Sequence, residues 1–270
     1  MGNKNVKDFK IIYQNDCSDD IINEIHRIIA NNFSQKMVEL IKSDKGHEVY
    51  RWNFKNELYY LKNYNYQTWK KRFKNIFRPV RARKIIKYNR KLIKAGIRNL
   101  PLICAVDYSG GIIKNKSLIL SRAIPGIDLE NFFHVNCDPV TRNQVIRKLS
   151  KLMVSLSENN LILGDPSLHN FIVMDNKDFK IYLVDIDNMR SYLYLPDYLF
   201  YRSISKLMAL IYSREVNISF QEKLDLLRYI LQKKEGSFSS AIVNRIFRMT
   251  KARLNSWGCH KIIRKHEEFI

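Results

Sequence analysis

Asp165 stands in the run Gly-Asp-Pro-Ser-Leu-His-Asn (164–170), with the amide of Asn170 five residues on and a second carboxylate, Asp185, in Leu-Val-Asp-Ile-Asp (183–187). A positioned carboxylate can take the proton of an attacking hydroxyl. An amide oxygen and a further carboxylate are hard ligands for magnesium bridging the phosphates of a nucleotide. Asp165 therefore reads as a general base, and Asn170 and Asp185 as metal ligands, for phosphoryl transfer from ATP with Mg2+ as the accompanying ion. An isolated D-x-x-x-x-N spacing also describes a plain hairpin with solvated residues at its turns. Here both flanks are largely apolar: Phe171-Ile172-Val173 and Lys180-Ile181-Tyr182-Leu183-Val184 predict two short strands whose ends bring Asn170 and Asp185 to one place.

The surrounding elements must hold that loop still. Over 141–158, Val145, Leu149, Leu152 and Leu156 repeat on one face with Ile146 and Met153 beside them, an amphipathic helix suited to buttressing the loop. Three more helices are predicted over 196–213, 220–232 and 238–255 from the spacing of their Leu, Ile, Met and Phe residues. Upstream, 21–33 reads as a helix capped by Ser18 or Asp19 and preceding the strands. Residues 47–54 and 57–64 read as paired strands around Lys55-Asn56. A helix over 80–95 follows, with Ile85, Ile86, Leu92 and Ile93 inward and Gly96 as its stop. Further strands are expected over 102–108 and 116–122 around Gly110-Gly111, and Ala123-Ile124-Pro125-Gly126 breaks the pattern. The expected class is α+β, a single domain over 1–270. It would have a small antiparallel-sheet N-lobe over about 1–123 and a mainly helical C-lobe over about 124–270.

The chain has 270 residues, of which 46% are hydrophobic, enough for a real core. Cys17, Cys104, Cys137 and Cys259 are scattered without a C-x-x-C pair, which favours reduced thiols over zinc or a disulfide framework. No apolar run approaches the roughly 20 residues of a membrane span. The first residues lack a signal-peptide pattern, and Val6 breaks the myristoylation pattern, so a cytoplasmic location is expected. The charge is more telling: +21, with 47 Lys and Arg against 26 Asp and Glu. Residues 70–98 are dense in Lys and Arg and contain no acid. A solvated helix face is one account of this segment; an external polyanion, whether nucleic acid, a phosphorylated substrate or an anionic membrane surface, is the other.

With loop, strands and break in place, the chain resembles the lipopolysaccharide kinase family, bacterial kinase-like enzymes that phosphorylate inner-core sugars. The resemblance runs over residues 45–215. It is carried by Glu57-Leu-Tyr-Tyr-Leu-Lys62, Phe77-Arg-Pro-Val-Arg-Ala-Arg83, Ala95-Gly-Ile, Gly164 to Asn170, and Leu183 to Asp187. It implies a two-lobed protein-kinase-like fold, Lys62 on the ATP phosphates, Asp165 as base, and Asn170 and Asp185 on magnesium. The implied acceptor is an inner-core sugar of lipopolysaccharide, heptose ahead of 3-deoxy-octulosonate. The enzyme would work peripherally at the inner face of the cytoplasmic membrane, drawn to its anionic surface, with no nucleic acid as partner.

Several positions depart from larger kinases. There is no G-x-G-x-x-G loop, only Gly46 near the first hairpin; Leu163-Gly164 replaces the His-Arg of H-R-D; and Asp185-Ile186-Asp187 replaces D-F-G, offering Asp187 as a further metal contact. The stretch between Arg190 and Pro196 is too short for a phosphorylation-switched activation segment. The 80–95 helix has no Glu to orient Lys62, so Glu57 or an acid of the N-terminal helix would have to serve. His169 is a candidate contact to ATP or acceptor, or a loop residue lying on the next strand. Asp128 could meet a ribose or simply cap a helix. Arg51, Lys55 and the Trp52 strand are rival phosphate contacts. Two other readings compete: a soluble kinase of the aminoglycoside or choline type, whose cationic acceptors would prefer acids where this chain is basic, and a catalytically inactive kinase-like binding module.

Overall fold

In the computed structural model the described residues are 3–6, 9–13, 17–44, 46–65, 81–107, 116–135, 138–174 and 178–266. Residues 70–80 of the basic segment, Trp69, the Gly110-Gly111 turn and Cys137 lie outside them. The chain forms two compact units, residues 1–91 with 100–124 and residues 92–99 with 125–270.

The first unit is built on an antiparallel sheet. Its strands are β1 (Asn3–Val6), β2 (Phe9–Tyr13), β3 (Glu39–Asp44), β4 (His47–Phe54), β5 (Glu57–Asn65), β6 (Leu102–Asp107) and β7 (Lys116–Arg122), in the order β1-β2-β6-β7-β5-β4-β3. The turn between β4 and β5 puts Lys55 and Asn56 both at positive φ, the conformation a two-residue hairpin needs to match strand twist. Helix α1 (Asp19–Ala30) starts where the Ser18 hydroxyl accepts from the Ile21 N–H. Its Ile21, Ile22, Ile25 and Ile28 are buried with Tyr50, Trp52, Tyr59, Leu61, Leu118 and Leu120 of the sheet. The period of two along β5 sends Tyr59 and Leu61 into that core and Lys62 to the other face.

Three expectations are corrected here. Two strands precede α1, whereas the helix was expected to lead; short strands at the chain start carry little periodicity of their own. The helix stops at Ala30 rather than 33, because Asn32 and Phe33 sit at positive φ and leave the helical path. Helix α2 (Arg81–Lys94) buries Ala82, Ile85, Ile86, Asn89 and Leu92, yet Ile93 is exposed. Ile93 follows the buried Leu92 by one residue, about 100° round the helix, and in this last turn burial keeps to the Leu92 side.

The second unit opens with β8 (Ile127–Asp128) and α3 (Leu129–His134), followed by α4 (Pro139–Glu158). Asp138 caps α4 by accepting from the Val140 and Thr141 N–H groups, with Pro139 at the first helical position where no donor is lost. Then come β9 (Leu161–Leu163), a 3-10 turn over Leu168–Asn170, β10 (Phe171–Val173), β11 (Ile181–Leu183) and β12 (Met189–Ser191). Helices α5 (Asp197–Ser213), α6 (Phe220–Glu235), α7 (Ser240–Ser256) and α8 (His260–Lys265) complete it. Strands β8, β10 and β11 make one antiparallel sheet, and β9 pairs with β12. Gly126 leads into β8 with φ 158°, where a Cβ would stand 2.4 Å from the Val173 carbonyl oxygen, so only glycine lets β8 lie against β10.

Candidate functional site

The loop from Gly164 to Asn170 runs between β9 and β10, and two pairings hold its ends. The register Phe171↔Leu183, Ile172↔Tyr182, Val173↔Ile181 sets β10 against β11. One step before that ladder, the Val184 N–H donates to the Asn170 carbonyl at 2.9 Å, so Asn170 and Asp185 emerge side by side from neighbouring strands. The Asn170 side chain crosses the loop, its Nδ2 donating to the Asp165 carbonyl at 3.0 Å. That bond spends the amide nitrogen inside the loop and leaves the harder oxygen as the ligand atom. Beyond β11, the Asp187 N–H donates to Asp185 Oδ1 at 3.1 Å, fixing the carboxylate rotamer in a tight turn, and the Asp187 side chain is buried.

Leu163-Gly164, which replaces His-Arg, has a packing reason. Gly164 donates its N–H to the Asn188 carbonyl at 3.1 Å, and a Cβ on it would lie 2.5 Å from that oxygen. The pairing of β9 with β12, Leu163↔Met189 and Ile162↔Arg190, therefore ties the loop that carries Asp165 to the segment that follows Asp185 and Asp187.

Two features were not visible in the sequence. Lys206 of α5 reaches back over the loop, with Nζ 2.9 Å from Asp165 Oδ1 and donating to the Gly164 carbonyl at 2.8 Å. Nothing in local spacing connects residues so far apart in the chain. His169 is likewise engaged by residues beyond its own turn: Nδ1 lies 3.3 Å from Asp128 Oδ1 and Nε2 3.2 Å from Glu130 Oε2. Asp128 is also the cap of α3, accepting from the Asn131 N–H at 2.9 Å, so the helix-cap reading of that residue is the one the geometry bears out.

On the first unit, Lys62 sits mid-strand on β5 between Val49 of β4 and Ile119 of β7, with its Nζ 5.5 Å from the Tyr64 ring centroid. Glu57 does not orient it. Five residues along a strand put the two side chains on opposite faces, and Glu57 is taken by Arg122 at 3.1 Å and by the Tyr59 hydroxyl. Asp44 at the end of β3 is one acid that feels the Lys62 charge. Its carboxyl is held below the usual range, first by a hydrogen bond from Lys42 and, more weakly, by the charges of His47 and Lys62. Among the N-terminal helix acids, Asp20 pairs with Lys55 at the surface. Arg51 pairs with Glu39 at 2.6 Å, and Trp52 is core.

Among the described residues no group of three His, Cys, Asp or Glu is arranged to hold a metal by itself. An amide and a carboxylate short of a full shell suit magnesium, which keeps waters and substrate phosphates as its other ligands. Among the described residues no helix is long and apolar enough to cross a membrane.

Neither a protein-family model nor a curated protein sequence matches the chain. Among solved structures it is similar to WaaP in complex with acyl carrier protein, at 14% identity and a TM-score of 0.60, over 79% of this chain and 88% of that one. It also aligns with a Stt7 homolog from Micromonas algae soaked with ATP (14% identity, TM-score 0.41, 58% of this chain and 51% of that one). A third alignment is with vaccinia related kinase 3 (16% identity, TM-score 0.37, 57% and 47%). The likeness to WaaP shows the fold: mixed α and β, with the antiparallel sheet N-terminal and the helices C-terminal, of the two-lobed protein-kinase-like type.

Proposed function

We propose that this protein is an ATP-dependent kinase that transfers the γ-phosphoryl group to a hydroxyl of an inner-core lipopolysaccharide sugar, heptose ahead of 3-deoxy-octulosonate. The observation that carries the reading is the loop in which Asn170 is hydrogen-bonded to the Asp165 carbonyl, with Asp185 following the Val184 N–H that bonds the Asn170 carbonyl, in a fold shared with WaaP over most of both chains. The lipopolysaccharide acceptor is supported by the family resemblance of the Lys62, Asp165 and Asp185 segments and by a net charge of +21, which suits an acceptor rich in phosphate and carboxylate.

In this reading Asp165 accepts the proton of the attacking hydroxyl while Lys206 and the loop hold its carboxylate in place. Asn170 Oδ1 and Asp185 hold magnesium, which when bound would neutralise charge on the nucleotide phosphates. Lys62 contributes a cation to those phosphates. WaaP was solved with acyl carrier protein, and the proposal extends to a carrier-protein partner for this chain. A basic surface also suits peripheral work at an anionic membrane.

The test is the Asp165→Asn variant, assayed with Mg-ATP and an inner-core acceptor lacking its phosphate. Turnover should fall about 100- to 10,000-fold while nucleotide affinity changes less than about twofold. A variant retaining a third or more of the wild-type rate with both substrates saturating removes Asp165 from the role of base.

A further inference from the structure

Beside the base loop, within the second unit, lies a cavity of about 280 Å3 walled by Gly164 and by four cations: Arg190 of β12, Arg202 and Lys206 of α5, and Arg253 of α7. No Asp or Glu lines it. Among the described residues no carboxylate pairs with Arg190, Arg202 or Arg253; Arg253 donates only to the neutral Ser205 Oγ and the Arg202 carbonyl, both at 3.3 Å. Arg202 and Lys206 stand four residues apart on one helix, an arrangement that opposes helix formation unless an anion joins them. Burial first, and the nearby Arg202 charge second, hold the Arg253 guanidinium below its usual range. Three elements thus bring positive charge to one hollow, and among the described residues only Lys206, through Asp165, has a carboxylate partner. Tyr192 and Leu199 add an apolar wall, as a sugar-sized ligand requires.

Lys206 belongs to both places. An ammonium has three donors; one goes to the Gly164 carbonyl and one to Asp165 Oδ1, which leaves a third for an occupant of the cavity. We propose that this cavity is an anion subsite for a phosphate or carboxylate carried by the acceptor, and that Lys206 is the positioning residue linking the bound anion to the base. The inference rests on the kinase reading and specifies the acceptor: its anionic group lies within about one sugar ring of the hydroxyl to be phosphorylated. Guanidinium forks suit both oxyanions by paired N–H donation. The same charges repel cationic acceptors of the aminoglycoside or choline kind.

The experiment uses the full-length protein and its Arg190→Gln/Arg202→Gln variant, both substitutions being at exposed positions. Unfolding midpoints of the two proteins are compared first, and the single Arg190→Gln change serves if the double variant is unstable. Calorimetric titration with inorganic phosphate, without nucleotide, should show binding to wild type and at least about tenfold weaker binding to the variant. In turnover assays, the variant should raise KM for a phosphate-bearing acceptor about tenfold or more, with kcat and the KM for ATP little changed. An acceptor stripped of its phosphate should bring wild type to the level of the variant. Equal phosphate binding by both proteins overturns the subsite. Lost phosphate binding with an unchanged acceptor KM overturns its role toward the acceptor. Phosphate binding that depends on the two arginines, in a protein that phosphorylates no acceptor, overturns the kinase reading while leaving the anion site standing.

Discussion

Asn170 and Asp185 differ in what they can give to a metal, and the structure sharpens the difference. Asn170 spends its nitrogen on the Asp165 carbonyl, so replacing it removes both a ligand oxygen and a brace of the base loop. Asp185 has one oxygen fixed by the Asp187 N–H and carries the charge that offsets phosphate. In the Asp185→Ala variant, magnesium-dependent nucleotide affinity should drop by about tenfold or more, while Asn170→Ala should weaken it less and lower kcat as well. Nucleotide titrations at several magnesium concentrations separate the two. Unchanged Mg-ATP affinity without Asp185 would transfer the ligand role to Asp187, which lies buried two residues on.

At the level of elements, α6 and α4 meet through a charge that should make the second unit sensitive to acid. Ser219 and Glu222 form a capping box at the start of α6, and Arg142 of α4 lies 2.7 Å from the same Glu222 carboxylate. Burial pushes the Glu222 carboxyl up, but the hydrogen bonds from Arg142 and Ser219 outweigh it, and the net shift is downward. A group with a depressed folded pKa contributes stability above its unfolded value, about 4.3 for Glu, and loses it as pH falls through the folded value. Wild type should therefore lose part of its stability on acidification below that point. Glu222→Gln should cost about 1–3 kcal/mol at neutral pH and remove this share of the acid dependence. Denaturant unfolding at neutral pH and near pH 3 checks both, and identical acid sensitivity in the two proteins would remove Glu222 from the account.

For the whole molecule, the charge of +21 is not evenly spread. Arg83, Lys87, Arg90 and Lys94 form an exposed stripe at three- and four-residue spacing along α2, a helix without a single acid. Leu193 and Tyr194, next to the segment that lines the cationic cavity, are exposed apolar residues suited to an interfacial surface. Wild type should bind vesicles containing anionic lipid at low salt, leave them as the Debye length falls below about 8 Å, and ignore neutral vesicles. Charge reversal at the four α2 positions should weaken that binding about tenfold or more and leave the KM for ATP in place. Co-sedimentation with vesicles of both compositions decides it; preference for single-stranded nucleic acid over anionic vesicles would favour the binding-module reading.

How much of this was legible in the residues alone follows contact range. The β10–β11 pair, the neighbouring exit of Asn170 and Asp185, and the long helices α4 to α7 involve partners close in sequence, so alternation, helical spacing and capping residues set them locally. Their predicted bounds differ from the observed ones by only a few residues. Strands β2, β9 and β12 were not read from the residues, and each is held by backbone distant in sequence, β2 by β6 and β9 by β12. Lys206 beside Asp165, Asp44 sensing Lys62, the four-cation cavity and the requirement for glycine at 164 all depend on residues that only tertiary packing brings together. The residue types able to do the chemistry were written in the chain. Which side chains lie against them, and which cations line the neighbouring cavity, was decided by the fold, because both depend on distances between elements and not on spacing along one.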